Sequence, residues 1–211
     1  MRITPVTPQG LVAHLVTRIA EAADSVGQAW TRVAVDGATA ARPDDLADAL
    51  VGPLRARGRA TVRVRAEDHL RPASLRYERG RTEPDSFYDD WLDAEGLVRE
   101  VLAPLDPGGS GRIRPVRWDA ARDRASRSGF EQLPAGAVLL LSGPLLLGRG
   151  LPVELTVHLQ LSPAALARRT PDELAWTLPA YARYDAEVQP AAWADVVVRV
   201  DDPRHPALVH R

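Results

Sequence analysis

The chain has 211 residues, 45% of them hydrophobic and 26% charged, enough apolar content for one sizeable core and too much for a disordered chain. Lys+Arg 27 against Asp+Glu 28 leaves a formal net charge of −1, which argues against holding nucleic acid by bulk charge. The absence of cysteine excludes disulfides, thiolate metal sites and cysteine nucleophiles, and the five histidines offer no pair at metal-ligand spacing, so no metal site is expected from these residues.

In chain order, Leu11, Val12, Leu15, Val16 and Ile19 share one stripe of residues 8–27 and predict an amphipathic helix. Residues 31–37, Thr-Arg-Val-Ala-Val-Asp-Gly, read as a buried strand ending in a turn. Pro43, Asp44 and Asp45 open a second helix, with Leu46, Ala49, Leu50 and Leu54 facing inward. Residues 60–65 alternate like a strand. A polar, arginine-rich stretch runs over 67–90, a further helix over 94–105, and Pro107-Gly108-Gly109 forms a turn. The wholly apolar run 137–141, bounded by glycine, predicts a strand covered on both faces. Strands follow over 153–161 and 195–200. This alternation predicts an α/β fold, a three-layer α/β/α arrangement with a mainly parallel central sheet. With no repeat and no linker, one domain is expected: residues 31–211, with the helix of residues 1–30 packed on it. No apolar run reaches membrane-span length and no signal pattern opens the chain, so a cytoplasmic protein with no membrane partner is expected.

In such a fold the turn after the first strand feeds a helix N-terminus, whose free amides attract anions. A phosphate-cradling turn there reads Gly-x-x-x-x-Gly-Lys-Ser/Thr. This chain reads Gly37-Ala38-Thr39-Ala40-Ala41-Arg42-Pro43-Asp44. The first glycine is present. Arg42 brings a long side chain where bare backbone should wrap phosphate. Pro43 supplies neither an ammonium nor an N–H. Asp44 brings negative charge where a hydroxyl should meet magnesium, and as a helix-capping residue it is expected to fill the anion hole from within. All 27 basic residues are arginine, the pattern of GC-rich coding, so no lysine elsewhere can take over. These residues alone leave open a helix that merely follows a strand.

Further on, Glu67-Asp68-His69-Leu70-Arg71-Pro72 is followed by Arg76-Tyr77-Glu78-Arg79-Gly80-Arg81 and Ser86-Phe87-Tyr88-Asp89-Asp90. With Ala103-Pro104-Leu105, Pro107-Gly108-Gly109 and Ala194-Asp195-Val196-Val197-Val198, these segments resemble the uridine kinase family of P-loop nucleoside kinases, particularly its actinobacterial-type branch. The resemblance runs from Val33 to about Pro203. It implies a P-loop fold and, for an intact member, ATP- and magnesium-dependent phosphorylation of the 5′-hydroxyl of uridine or cytidine. It places Glu67, with Asp68 beside it, at the catalytic base, where the residues alone read equally as a solvated acidic loop. It places Arg71, Tyr77, Tyr88, Asp90, Asp93 and Trp118 around the nucleoside. Gly37, Arg42 and Asp44 become a vestigial phosphate site, with Arg168 and Arg169 in the lid and Arg183 a weaker candidate, though surface arginines on an amphipathic helix read the same way. The family's second acid is missing, because the strand ends Leu141-Ser142-Gly143.

The expectation is therefore a degenerate nucleoside-kinase homologue, with catalysis lost or very weak, serving as a ligand-sensing or protein-interaction module for a nucleoside, a nucleotide or a protein partner. The alternative is an active kinase rebuilt around Arg42 and Glu67 or Asp68, and only then are ATP and Mg2+ expected as cofactors. A nucleic-acid partner is disfavoured for want of a basic face.

Overall fold

The computed structural model describes residues 2–26 and 29–210. Seven strands form one sheet: β1 (Arg2–Pro5), β2 (Trp30–Gly37), β3 (Thr61–Arg65), β4 (Ala137–Gly143), β5 (Leu155–Gln160), β6 (Val196–Arg199) and β7 (Ala207–His210). Their order is β1-β7-β6-β5-β2-β4-β3. The five strands from β6 to β3 are parallel, while β7 runs antiparallel to β6 and β1 antiparallel to β7. Every residue of the central β4 is buried, as its unbroken apolar run requires.

Alternate residues of the central strands face two different layers. Val138 and Leu140 of β4, with Val33 and Val35 of β2, pack against helices α1 (Pro8–Val26) and α2 (Pro43–Ala56). Leu11, Leu15 and Ile19 of α1 and Leu50 and Leu54 of α2 fill that face, as their spacing predicts. In α2, however, Ala49 is exposed and Ala47 is the buried alanine. Leu139 and Leu141 face the opposite layer, the helical segment 94–105 with Leu97, Val101, Leu102 and Leu105. The expected layers are present.

The segment 94–105 is not one regular helix. It runs as an α turn (Ala94–Leu97), a wide π turn (Val98–Leu102) and a 3-10 turn (Ala103–Leu105). Pro104 has no N–H to give the carbonyl of Glu100 four residues earlier, and the amide of Arg114 donates to that carbonyl instead, at 2.9 Å. The two antiparallel strands β1, at the sheet edge, and β7 beside it also lie outside the sequence expectation. Arg32 in β2 is buried, and its guanidinium bonds Glu154 and Asp106, each at 2.5 Å, and the Leu102 carbonyl at 2.9 Å. Among the described residues no helix is long and apolar enough to cross a membrane.

Candidate functional site

Strands β2, β3 and β4 all end at the same edge of the sheet, where ligands of open α/β folds gather. At the end of β2, a Cβ on Gly37 would come within 2.9 Å of the Leu159 Cβ on β5, so glycine here serves strand packing. The following turn folds on itself. The Ala41 amide donates to the Ala38 carbonyl (2.7 Å), the Arg42 amide to the Thr39 carbonyl (3.0 Å) and the Thr39 amide to the Tyr181 hydroxyl (3.2 Å). Amides that a phosphate loop would direct at an anion are thus already bonded within the protein.

Arg42 adopts a left-handed conformation (φ 61°, ψ 54°) and ends this turn as the N-cap of α2. Its guanidinium is mostly exposed and pairs with Asp45 one turn on. Asp44 does not cap the helix. It stands inside the first turn, and its carboxylate turns sideways to accept from the Ser142 hydroxyl, with Arg63 Nη2 at 3.5 Å. Because the cap position falls on Arg42, the expected self-capping by Asp44 gives way to this lateral pairing.

Glu67 and Asp68 sit on a 3-10 turn directly after β3 (Ala66–His69). Glu67 is exposed at the cavity rim, 3.4 Å from Arg65. Asp68 is half-buried; burial first, then the neighbouring Glu67 charge, pushes its carboxyl up to about 6. His69 beside it is fully buried and receives a carbonyl, Pro115 O at 2.9 Å, on Nε2, so that nitrogen carries the proton. Burial pushes its pKa below the ordinary histidine value.

Two adjoining cavities open at this edge, of about 450 and 560 Å³. Thr39, Arg42, Phe87 and Trp91 line both. The first adds Asp44, Glu67, Ser142, Leu145 and Arg149, and the second Arg169, Trp176 and Tyr181. Their walls are aromatic: Phe87 meets Trp91, Trp176 and Tyr181 edge-on, with ring centroids 5.1, 5.6 and 5.8 Å apart. A planar apolar group fits such walls better than a triphosphate does.

Of the residues assigned to the nucleoside by resemblance, none lines these two cavities. Tyr88 borders a smaller one of about 160 Å³, where its hydroxyl donates to Glu187 at 3.2 Å and Arg183 lies 4.2 Å above its ring. Tyr77 packs edge-on against Trp91, behind the wall (5.8 Å). Asp90 pairs with Arg79 at 2.7 Å, and Arg71 stands 4.0 Å from Asp90. Asp93 caps the 94–97 turn through the Gly96 amide (2.9 Å) and pairs with Arg117. Trp118 lies in a two-residue ribbon and donates to Asp123 at 3.3 Å.

Helix α3 (Pro84–Asp89) carries Phe87 and Tyr88, and helices α4 (Pro163–Arg169) and α5 (Leu178–Glu187) close the other side. Arg168 is exposed at the end of α4. Arg169 lines the second cavity and donates to the Val200 carbonyl at 2.6 Å. Arg183 of α5 is held by Asp85, Asp89 and Glu187 at 3.2, 3.0 and 2.9 Å, tying α5 to α3.

Residues that sequence reasoning missed include the aromatic walls and one buried pair. Asp36, fully buried at the end of β2, accepts from His158 Nδ1 at 2.7 Å and from the Leu146 amide at 2.8 Å, which fixes the loop after β4. The signal was present in part, as Asp36 directly precedes Gly37, while His158 lies on a strand that declares only its apolar neighbours.

Magnesium, implied by the resemblance, would sit between the residue at position 44 and the end of β4. The residues do not fit it. Where the resemblance implies a hydroxyl and a carboxylate, this chain has Asp44 and Ser142, which are bonded to each other, with Arg63 Nη2 2.8 Å from Ser142 Oγ. Mg2+ demands near-octahedral oxygen ligands, most of them waters, and a guanidinium beside both groups leaves no such shell.

Solved structures share this architecture. A "possible uridine kinase" from Bacillus stearothermophilus superposes with TM-score 0.67 at 20% identity, over 87% of this chain and 98% of that one. A "putative fructose transport system kinase" from Silicibacter sp. TM1040 gives 0.60 at 23% identity, over 87% and 89%. The YGR205w protein gives 0.59 at 9% identity, over 97% and 100%. The chain shares with them an α/β fold built on a mainly parallel central sheet. No protein-family model and no curated protein matches the chain.

Proposed function

We propose that the chain is a degenerate homologue of the uridine kinase family, which keeps the fold, has lost ATP-dependent phosphorylation of uridine and cytidine, and works as a ligand-sensing or interaction module. One observation carries the reading: the turn after Gly37 spends its Thr39, Ala41 and Arg42 amides on internal bonds. Phosphoryl transfer rests on positioning and charge neutralisation, and here the lysine, the magnesium-binding hydroxyl and the second acid are replaced by Pro43, Asp44 and Ser142. Losing several charge-assisted contacts of roughly 1–3 kcal/mol each removes orders of magnitude in rate. What remains is an aromatic-walled double cavity of a size for a small ligand.

A coupled assay of uridine and cytidine phosphorylation with ATP and Mg2+ tests the proposal. No turnover above background supports it, and steady turnover by the purified chain refutes it.

The second reading, a kinase rebuilt around Arg42, draws support from Asp68, whose raised carboxyl pKa suits a proton acceptor near neutral pH. Against it, Arg42 is already paired with Asp45. Loss of turnover in Arg42→Ala is the result this reading requires.

A further inference from the structure

The disagreement between the site and a divalent cation has a structural author, Arg63. Its strand, β3, lies at the sheet edge, and its side chain crosses to the first turns of α2, only 16% exposed. There Nε donates to Asp48 at 2.7 Å, Nη1 to the Leu140 carbonyl at 2.8 Å, and Nη2 to Ser142 at 2.8 Å with Asp44 at 3.5 Å. The guanidinium thus touches the carboxylate and the hydroxyl that stand at the metal place of the fold, and a second carboxylate one turn along α2.

We propose that Arg63 is the resident cation of this site, so that the intact protein takes no divalent metal there and any ligand of the adjoining cavity binds independently of Mg2+. The physical reason is charge balance around a largely buried guanidinium, whose two carboxylate partners are 38% and 50% exposed. Asp44 and Asp48 point the same way, and two unpaired carboxylates there would repel each other and draw in a cation. A guanidinium stays charged at any working pH and supplies its donors in a fixed fork, so it satisfies both acids and Ser142 without a coordination shell. Arg65 also stands 3.5 Å from Asp48, so removing Arg63 leaves Asp44, Ser142 and the Leu140 carbonyl without a cation, beside an Asp48 that keeps Arg65, as oxygens suited to a hard divalent ion. The inference rests on assigning the 37–44 turn and Ser142 to the phosphate-loop and second-acid places of the fold, and it is tested without nucleotide, so it stands or falls separately from the loss of catalysis.

The test is titration of the full-length chain with Mn2+ alone, read by loss of the free aquo-ion signal in electron paramagnetic resonance. Wild type should take up no stoichiometric Mn2+. Arg63→Ala should bind one ion at least about tenfold more tightly, a difference of about 1.4 kcal/mol. Adding Asp44→Asn should cancel that gain, and Arg63→Lys, which keeps a cation, should stay near wild type. Arg63→Gln, which keeps a donor for Ser142, carries the same expectation as Ala and is read if Ala fails to fold. A folded Arg63→Ala or Arg63→Gln protein with no gain overturns the proposal, and so does stoichiometric Mn2+ binding by wild type that Asp44→Asn removes.

Discussion

The hydroxyl of Ser142 donates to the carboxylate of Asp44, joining the end of β4 to the first turn of α2. A kinase of this fold would use an acid at the first place and a hydroxyl at the second to hold a metal between them. Here a hydroxyl stands at the first place and a carboxylate at the second, and they bond each other. The pair is structural, and Arg63 completes it.

That pairing predicts energetic coupling. Ser142→Ala and Asp44→Ala should each destabilise the fold by about 1 kcal/mol. The double variant should fall short of their sum by at least about 0.5 kcal/mol, measured by urea unfolding of all four proteins. Simple additivity would mean that the contact contributes nothing.

Reverting the turn separates binding from chemistry. Arg42→Gly, Pro43→Lys and Asp44→Thr together should allow ATP to raise the thermal midpoint. Turnover of uridine should still be absent, because Ser142 leaves the second carboxylate missing. No midpoint shift in the triple variant would show that the turn is not what blocks the nucleotide.

Asp68 gives a pH signature. Its carboxyl rises to about 6 in the folded protein from an ordinary 3.8, so between these values the native state binds more protons than the unfolded state. Stability contributed by this group is therefore full below about pH 4 and declines as the pH climbs through 6. Asp68→Asn should stabilise the protein at pH 7 and have less effect at pH 4, by denaturant unfolding at both. An equal effect at the two pH values would contradict the shift.

Much of the fold was legible from period and punctuation. The unbroken apolar run at 137–141 and the stripe from Leu11 to Ile19 read out as a central strand and a core helix because burial alone dictates their composition. The antiparallel strands β1 and β7 did not. Arg2–Pro5 is short, mostly exposed and ends in proline, features that suit an edge and resemble a tail. Ala47 and Ala49 differ in burial because helix phase is set by the whole packed face, and alanines carry little signal of their own. The departure of the 37–44 turn from a phosphate-cradling pattern was readable, since Pro43 and Asp44 stand where that pattern has lysine and a hydroxyl. The cavity was not, because Phe87, Trp91, Trp176 and Tyr181 meet only through packing between segments far apart in the chain.

Arg32 was also invisible as a core residue, since a lone arginine in a strand reads as an exposed position. Burial with Glu154, itself 8% exposed, makes it costly to remove. Arg32→Ala should destabilise the protein by about 3–5 kcal/mol by leaving that carboxylate unpaired. Arg32→Ala/Glu154→Ala should recover part of the loss. Calorimetric unfolding of the two variants checks the order, and a milder single variant than double would contradict it.

On the proposed reading, the turn following Asp36 accepts no triphosphate. Isothermal titration of the purified chain with ATP, in the presence and absence of Mg2+, tests it most directly. No binding heat is expected in either condition at micromolar to millimolar nucleotide. A saturating, magnesium-dependent isotherm with micromolar affinity would contradict it.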